Sequence, residues 1–124
     1  MNLNQITIPV VDVEKSIGFY ETLGLKLIVK DLPTYARFVC PEGNSTFSLH
    51  QVKNLPKGEG IWIYFEVKNL EDYIQSLIER NIRIDEMPNV KTWLWREARL
   101  KDPDNNQIII YFAGINRIYP PWRL

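Results

Sequence analysis

The sequence predicts an α+β chain made of two βαβββ units in tandem. Three features point there: an internal repeat, two amphipathic helical stretches with capping residues, and strand-like runs separated by Gly, Pro and Asn turns. The stretch from Ile6 to Leu27 reads as a strand, a break at Asp12, a helix, a stop at Gly24 and a second strand, and Ile63 to Ile84 repeats that order. Moving forward by 57 residues lays Val10 on Val67, Val13 on Leu70, Glu14 on Glu71, Ile17 on Ile74, Leu25 on Ile82 and Leu27 on Ile84.

Each element has a local reason. In the first helix Asp12 serves as N-cap, Val13, Ile17 and Tyr20 share one face, and Gly24 suits the left-handed position just past the end. In the second, Asn69 caps, Glu71 and Asp72 complement the positive helix end, and Leu70, Ile74 and Leu77 form the apolar stripe. Three strands follow each helix: Lys26 to Lys30, Ala36 to Cys40 and Thr46 to Gln51, then Arg83 to Asp85, Trp93 to Leu100 and Gln107 to Phe112. Here the repeat offset becomes 62, laying Phe38 on Leu100 and Pro41 on Pro103, so Cys40 to Asn44 and Asp102 to Asn106 read as equivalent hairpin turns. The extra residues fall in a loop containing Pro88. Repeat one covers about 4–52, the linker 54–60, repeat two about 61–112 and a C-terminal tail 113–124, all within one domain, 1–124.

Composition narrows the function classes. The chain has 124 residues, 45% hydrophobic, with 15 basic and 15 acidic side chains, enough for one core without disulfides. The formal charge of zero gives no basic footprint for nucleic acid. No apolar run is long enough to span a membrane, and the N-terminus has no signal-peptide pattern, so no membrane partner and a cytoplasmic location are expected. The lone Cys40 excludes a disulfide framework and any Cys-rich metal site. His50, the lone imidazole, reads as a structural strand-end residue pointing away from Phe47 and Leu49. Asn44-Ser45-Thr46 matches a glycosylation pattern but reads as a turn.

Two βαβββ units, with Ile8-Pro-Val-Val-Asp-Val-Glu-Lys-Ser-Ile-Gly-Phe-Tyr20, Leu23-Gly24 and Asp102-Pro-Asp-Asn-Asn106, resemble the vicinal oxygen chelate superfamily of glyoxalases, bleomycin-resistance proteins and extradiol dioxygenases. The resemblance covers residues 4 to 112 and implies curled mixed sheets with a concave cup and helices on the outer face. In metal-dependent members, each repeat supplies His or Glu ligands from its first and last strands. Carried over by spacing, those positions are Gln5, Phe47, Trp62 and Ile109. Only Gln5 offers even a weak donor, so no metal and no other cofactor is expected, and metal-dependent glyoxalase or dioxygenase activity is disfavoured.

Strand alternation predicts the cup-facing side chains: Gln5, Thr7, Tyr35, Arg37, Phe47 and Leu49 from the first copy, and Trp62, Tyr64, Trp93, Trp95, Glu97, Arg99, Ile109 and Tyr111 from the second. Rings offer stacking surface and arginine offers a fork for an acid group. The expected ligand is a small planar or anionic organic molecule, with Arg37, Arg99 or both pairing its acid, and with Gln5, Thr7, Tyr35, Phe47, Trp62, Tyr64, Trp95 and Tyr111 completing the site. Two alternatives stand beside sequestration. One is a metal-independent lyase or isomerase using Glu97 as base with arginine stabilisation, although Glu97 reads equally as the ion-pair partner of an arginine. The other is a structural or protein-interaction role. Its basis is the tail, whose Ile115, Ile118, Tyr119 and Trp122 suit a covered surface, and superfamily relatives of this size imply a homodimer.

Overall fold

A computed structural model describes all 124 residues, which divide into two compact units, Met1–Glu59 and Gly60–Leu124. The first contains β1 (Gln5–Val10), α1 (Val13–Thr22), β2 (Lys26–Asp31), β3 (Tyr35–Val39) and β4 (Thr46–Gln51). The second contains β5 (Trp62–Glu66), α2 (Leu70–Glu79), β6 (Glu86–Val90), β7 (Arg96–Lys101), β8 (Gln107–Phe112) and a 3-10 turn at Gly114–Arg117. Each unit is a four-stranded mixed sheet, ordered β1-β4-β3-β2 and β5-β8-β7-β6. In each, the first strand runs parallel to the last, and the remaining pairs are antiparallel. The α+β class and the βαβββ repeat are therefore present. No helix is long and apolar enough to cross a membrane.

Local chemistry explains the helix ends. The Asp12 carboxylate accepts from the Lys15 backbone N–H at 3.0 Å, an N-cap worth about 1 kcal/mol. Gly24 carries the positive φ of 101° that ends α1. Asn69 precedes α2 without a side-chain capping bond; Glu71 and Asp72 in the first turn supply the negative charge instead.

One face of each sheet packs on its helix. In the first unit Ile8, Val10, Ala36, Phe38, Phe47 and Leu49 meet Val13, Ile17 and Tyr20, with the Tyr20 ring 4.7 Å from Phe47 and 6.0 Å from Phe38. In the second, Ile63, Ala98, Leu100, Ile108 and Ile110 lie buried, as do Leu70, Ile74 and Leu77 of α2. Each buried aliphatic side chain contributes about 1.5–3 kcal/mol before ordering costs, so these stripes drive helix docking.

Three expectations need correction. Phe47 and Leu49 do not share the face of Gln5 and Tyr35. The β3–β4 hairpin places Val39 opposite Thr46, whereas the β7–β8 hairpin places Lys101 opposite Gln107. The first turn is thus one residue longer, and a one-residue change moves every following side chain to the other face. The true offset between β4 and β8 is 61 residues: Gln5 pairs with Thr46 as Trp62 pairs with Gln107. By the same pairing His50 lies opposite Tyr35, on the face away from α1. Next, Arg83 to Asp85 form no strand; β6 is Glu86–Val90, an edge strand that tolerates Pro88 beside a register irregularity between Glu86 and Asn89. Finally, Trp93 and Trp95 sit in the turn before β7, where Leu94 adopts φ 67° and Lys91 N–H donates to the Trp95 carbonyl at 2.8 Å.

Candidate functional site

The sheet face away from the helix carries the candidate groups, and the two units differ sharply there. In the first, the face is polar. Gln5, Thr7, Tyr35 and Arg37 lie on it as expected, and Ser48 takes the place assigned to Phe47. Gln5 Nε2 donates to Ser48 Oγ at 2.9 Å and to Thr7 Oγ1 at 3.1 Å, and Thr46 Oγ1 donates to Gln5 Oε1. Tyr35 Oη lies 2.9 Å from Ser48 Oγ and receives Arg37 Nε at 2.8 Å, with the guanidinium 5.5 Å from the Tyr35 ring centre. Burial alone pushes the Tyr35 phenol up, but the hydrogen bonds with Ser48 and Arg37, together with the Arg37 charge, outweigh it and hold the phenol below its ordinary range. Arg37 is exposed and has no carboxylate partner within 4.0 Å.

In the second unit the same face is aromatic and ionically self-compensated. Trp95 stacks on Tyr111 at 4.9 Å, and Tyr64 meets both rings edge-on at 5.9 and 5.4 Å. Ile109 and Tyr111 are buried beneath Trp95, while Trp62, Tyr64 and Trp93 are 44%, 37% and 39% exposed. Glu97 is fully buried. Its Oε1 accepts from Trp93 Nε1 at 2.9 Å, and its Oε2 lies 3.4 Å from Arg99 Nη2. Arg99 also approaches Glu86 at 3.5 Å and lies 4.9 Å from the Trp62 ring centre. Glu86 in turn pairs with Lys91 and accepts from Asn89. The Lys91 and Asn89 hydrogen bonds hold the Glu86 carboxyl below its usual range.

Glu97 is therefore the ion-pair partner of Arg99 rather than a free base, since both its oxygens are engaged. A buried carboxylate needs such partners, because desolvating an isolated charge costs several kcal/mol. Tyr64 and Tyr111 phenols are both pushed up by burial, and neighbouring carboxylates, Glu97 and Glu66 respectively, add to the effect. Burial likewise raises the Cys40 thiol, as an inert cysteine requires. The sequence reading missed Ser48, Glu86 and Lys91. Ser48 had a usable signal: Thr46, Ser48 and His50 alternate with apolar Phe47 and Leu49, the pattern of a strand with one core-facing side.

The family model described as Glyoxalase/Bleomycin resistance protein/Dioxygenase superfamily matches residues 2–110. The chain belongs to this superfamily. A superfamily member from Sphaerobacter thermophilus superposes with a TM-score of 0.74 at 23% identity, covering 90% of this chain and 97% of that one. A lactoylglutathione lyase from Agrobacterium tumefaciens gives 0.76 at 14% identity, covering 90% and 93%. An integron cassette protein from the mobile metagenome of a Halifax Harbour sewage outfall gives 0.78 at 18%, covering 90% and 97%. Identities this low establish a shared fold and leave the chemistry to each chain's own residues. No curated protein matches the chain.

The glyoxalase-superfamily metal positions can be tested against this chain's donors. With the β4 register corrected, the side chains beside Gln5 are Thr46 and Ser48; the second unit offers Trp62, Gln107 and Ile109. The set has no imidazole, carboxylate or thiolate, and its amides and neutral hydroxyls, interrupted by an indole and an alkyl group, are too weak without a charged ligand to replace the water shell of a divalent cation; no cluster of three His, Cys, Asp or Glu side chains forms elsewhere. The donor set does not fit the metal.

Proposed function

We propose that this glyoxalase-superfamily chain binds a small planar or anionic organic molecule without a metal ion. The carrying observation is the aromatic face of the second unit. Trp62, Tyr64 and Trp93 leave more than a third of their surface uncovered, beside rings and ion pairs that already satisfy one another. An unfilled ring surface over a rigid, compensated base suits stacking of a flat ligand. In the first unit, considered by itself, Arg37 has no acid of its own and is a separate candidate for holding an anion. Arg37, rather than Arg99, is the anion-binding member of the expected pair, because Arg99 already faces Glu97 and Glu86.

Screening a fragment set enriched in aromatic acids by ligand-observed NMR tests this reading. Hits stacked on the second unit should weaken at least tenfold in Trp62→Ala, and acidic hits held on the first unit should weaken in Arg37→Gln while Arg99→Gln leaves the acid preference intact. Hits indifferent to all three changes would refute it. Binding without consumption of the hit favours sequestration over catalysis. The homodimer belongs to the same proposal: Ile115, Ile118, Tyr119 and Trp122 are all exposed in the single chain, giving the tail an apolar surface. Sedimentation of the full chain should give a dimer, and removal of residues 114–124 should give a monomer. A cytoplasmic location is proposed from the single, reduced Cys40.

A further inference from the structure

On the far face of the first sheet, the available protons and lone pairs set directions in a six-residue network. Thr46 donates to Gln5 Oε1, which fixes the Gln5 amide so that Nε2 faces Ser48 and Thr7. Ser48 Oγ, fully buried, therefore accepts from Gln5. Either hydroxyl could donate across the 2.9 Å contact with Tyr35 Oη, but the Ser48 proton is buried and has no other partner left, whereas the partly exposed phenol can turn its own outward, so Ser48 donates. Arg37 Nε donates to the same oxygen at 2.8 Å. Two donors thus converge on Tyr35 Oη, and the phenol's own proton is left without an acceptor in the chain. Hydrogen bonds in such a series polarise one another, so this outward O–H is a strengthened donor. The Arg37 terminal nitrogens beside it pair with no carboxylate.

We propose that Tyr35 and Arg37 form a two-point clamp for the carboxylate of a small organic acid, with Tyr35 O–H on one oxygen and the Arg37 guanidinium on the other. This rests on the small-molecule reading above and adds a residue and a pH gate to it. A monoanion fits better than a phosphate dianion. The face supplies one uncompensated cation and one neutral donor, and Asp31 lies opposite Tyr35 in the β2–β3 register. Loss of the phenol proton removes the donor and places a negative charge against the ligand, so the clamp releases its acid as pH rises through the Tyr35 titration. The charged and titratable groups around Tyr35 are Arg37 on its own strand, His50 opposite on β4 and Asp31 opposite on β2. The tyrosine's lowered ionisation range, with its causes in Ser48 and Arg37, agrees with this direction.

The test is titration of benzoate into the full-length chain carrying ¹³Cζ-labelled tyrosine, from pH 7 to 11. Benzoate should shift the Tyr35 resonance saturably, and affinity should fall at least tenfold within about one pH unit above the Tyr35 midpoint. In Tyr35→Phe, binding should be about tenfold weaker and flat across that midpoint, as loss of one charge-assisted hydrogen bond implies. Arg37→Gln should abolish binding. Ser48→Ala should raise the Tyr35 midpoint and carry the release point up with it, a readout that loss of packing alone would not move. His50→Gln and Asp31→Asn should keep the pH dependence. Wild-type binding that ignores the Tyr35 midpoint, or inorganic phosphate binding tighter than benzoate, overturns the clamp. If benzoate perturbs only the tyrosines of the second unit, the clamp fails while the small-molecule reading survives. If neither benzoate nor any aromatic acid perturbs either face, both fail.

Discussion

Replacing Phe47 with alanine separates a core residue from a ligand contact. Phe47 is 3% exposed, with its ring 4.7 Å from Tyr20 and 6.4 Å from Phe38. Truncating a buried phenylalanine costs about 3–5 kcal/mol through lost transfer energy and the cavity left behind. Loss of the tilted aromatic contact with Tyr20 places this site in the middle of that range, near 4 kcal/mol. Against a total stability of about 5–15 kcal/mol for a domain, that is a large fraction. With a urea slope of about 2 kcal/mol per molar, the midpoint should fall by about 2 M. Urea unfolding followed by tryptophan fluorescence measures it, with Trp62→Ala as a control expected to lose less than about 1 kcal/mol because Trp62 is 44% exposed. A Phe47→Ala chain that loses less than about 1 kcal/mol yet binds ligands more weakly would show that the β3–β4 hairpin has the shorter register and that Phe47 lines the site.

Two further outcomes follow from the same contacts. Glu97→Gln removes the buried partner of Arg99 but leaves Glu86, so the cost should be about 2–3 kcal/mol, below the full penalty for orphaning a buried charge; a urea-measured loss under about 0.5 kcal/mol would contradict the pairing. Burial in the second unit pushes the Tyr73 phenol up to about 12 from an ordinary 10.0. The folded state then holds that proton more tightly than the unfolded chain, so stability is complete below pH 10.0 and falls as pH rises toward about 12, by about 2–3 kcal/mol in all. Comparing the alkaline stability profiles of the native chain and Tyr73→Phe checks the sign, since the variant should lose the part of the decline that belongs to this phenol.

The tandem repeat was readable because core-facing periodicity survives in both copies. Val10, Val13 and Ile17 and their counterparts Val67, Leu70 and Ile74 keep their spacing through the strand and helix, where no insertion intervenes. Helix ends were readable where one side chain performs the cap, as at Asp12, and less so at Asn69, where the first-turn carboxylates carry the effect. The hairpins defeated the reading. Pro41 and Asn44 align by type with Pro103 and Asn106, yet residue type at a turn does not count its residues, and one extra residue reversed β4. That error removed Ser48 from the site and inserted Phe47. β6 was missed because Glu-Met-Pro-Asn-Val has neither strand propensity nor alternation; its place is set by pairing with β7. Within the site, alternation correctly grouped Glu97, Arg99, Ile109 and Tyr111, but no sequence pattern could show that Arg99 is neutralised and Arg37 is not. That distinction depends on carboxylates brought together by tertiary pairing.

The central claim is that this chain binds a small flat or anionic organic molecule without a metal ion. Calorimetric titration of 1-naphthoate into chelator-stripped protein, repeated after addition of one equivalent of zinc, nickel or manganese, tests it most directly. Saturable binding to the stripped chain is expected, with an affinity unchanged by any of the ions. Binding that appears only after a divalent ion is restored, at one ion per site, would contradict it.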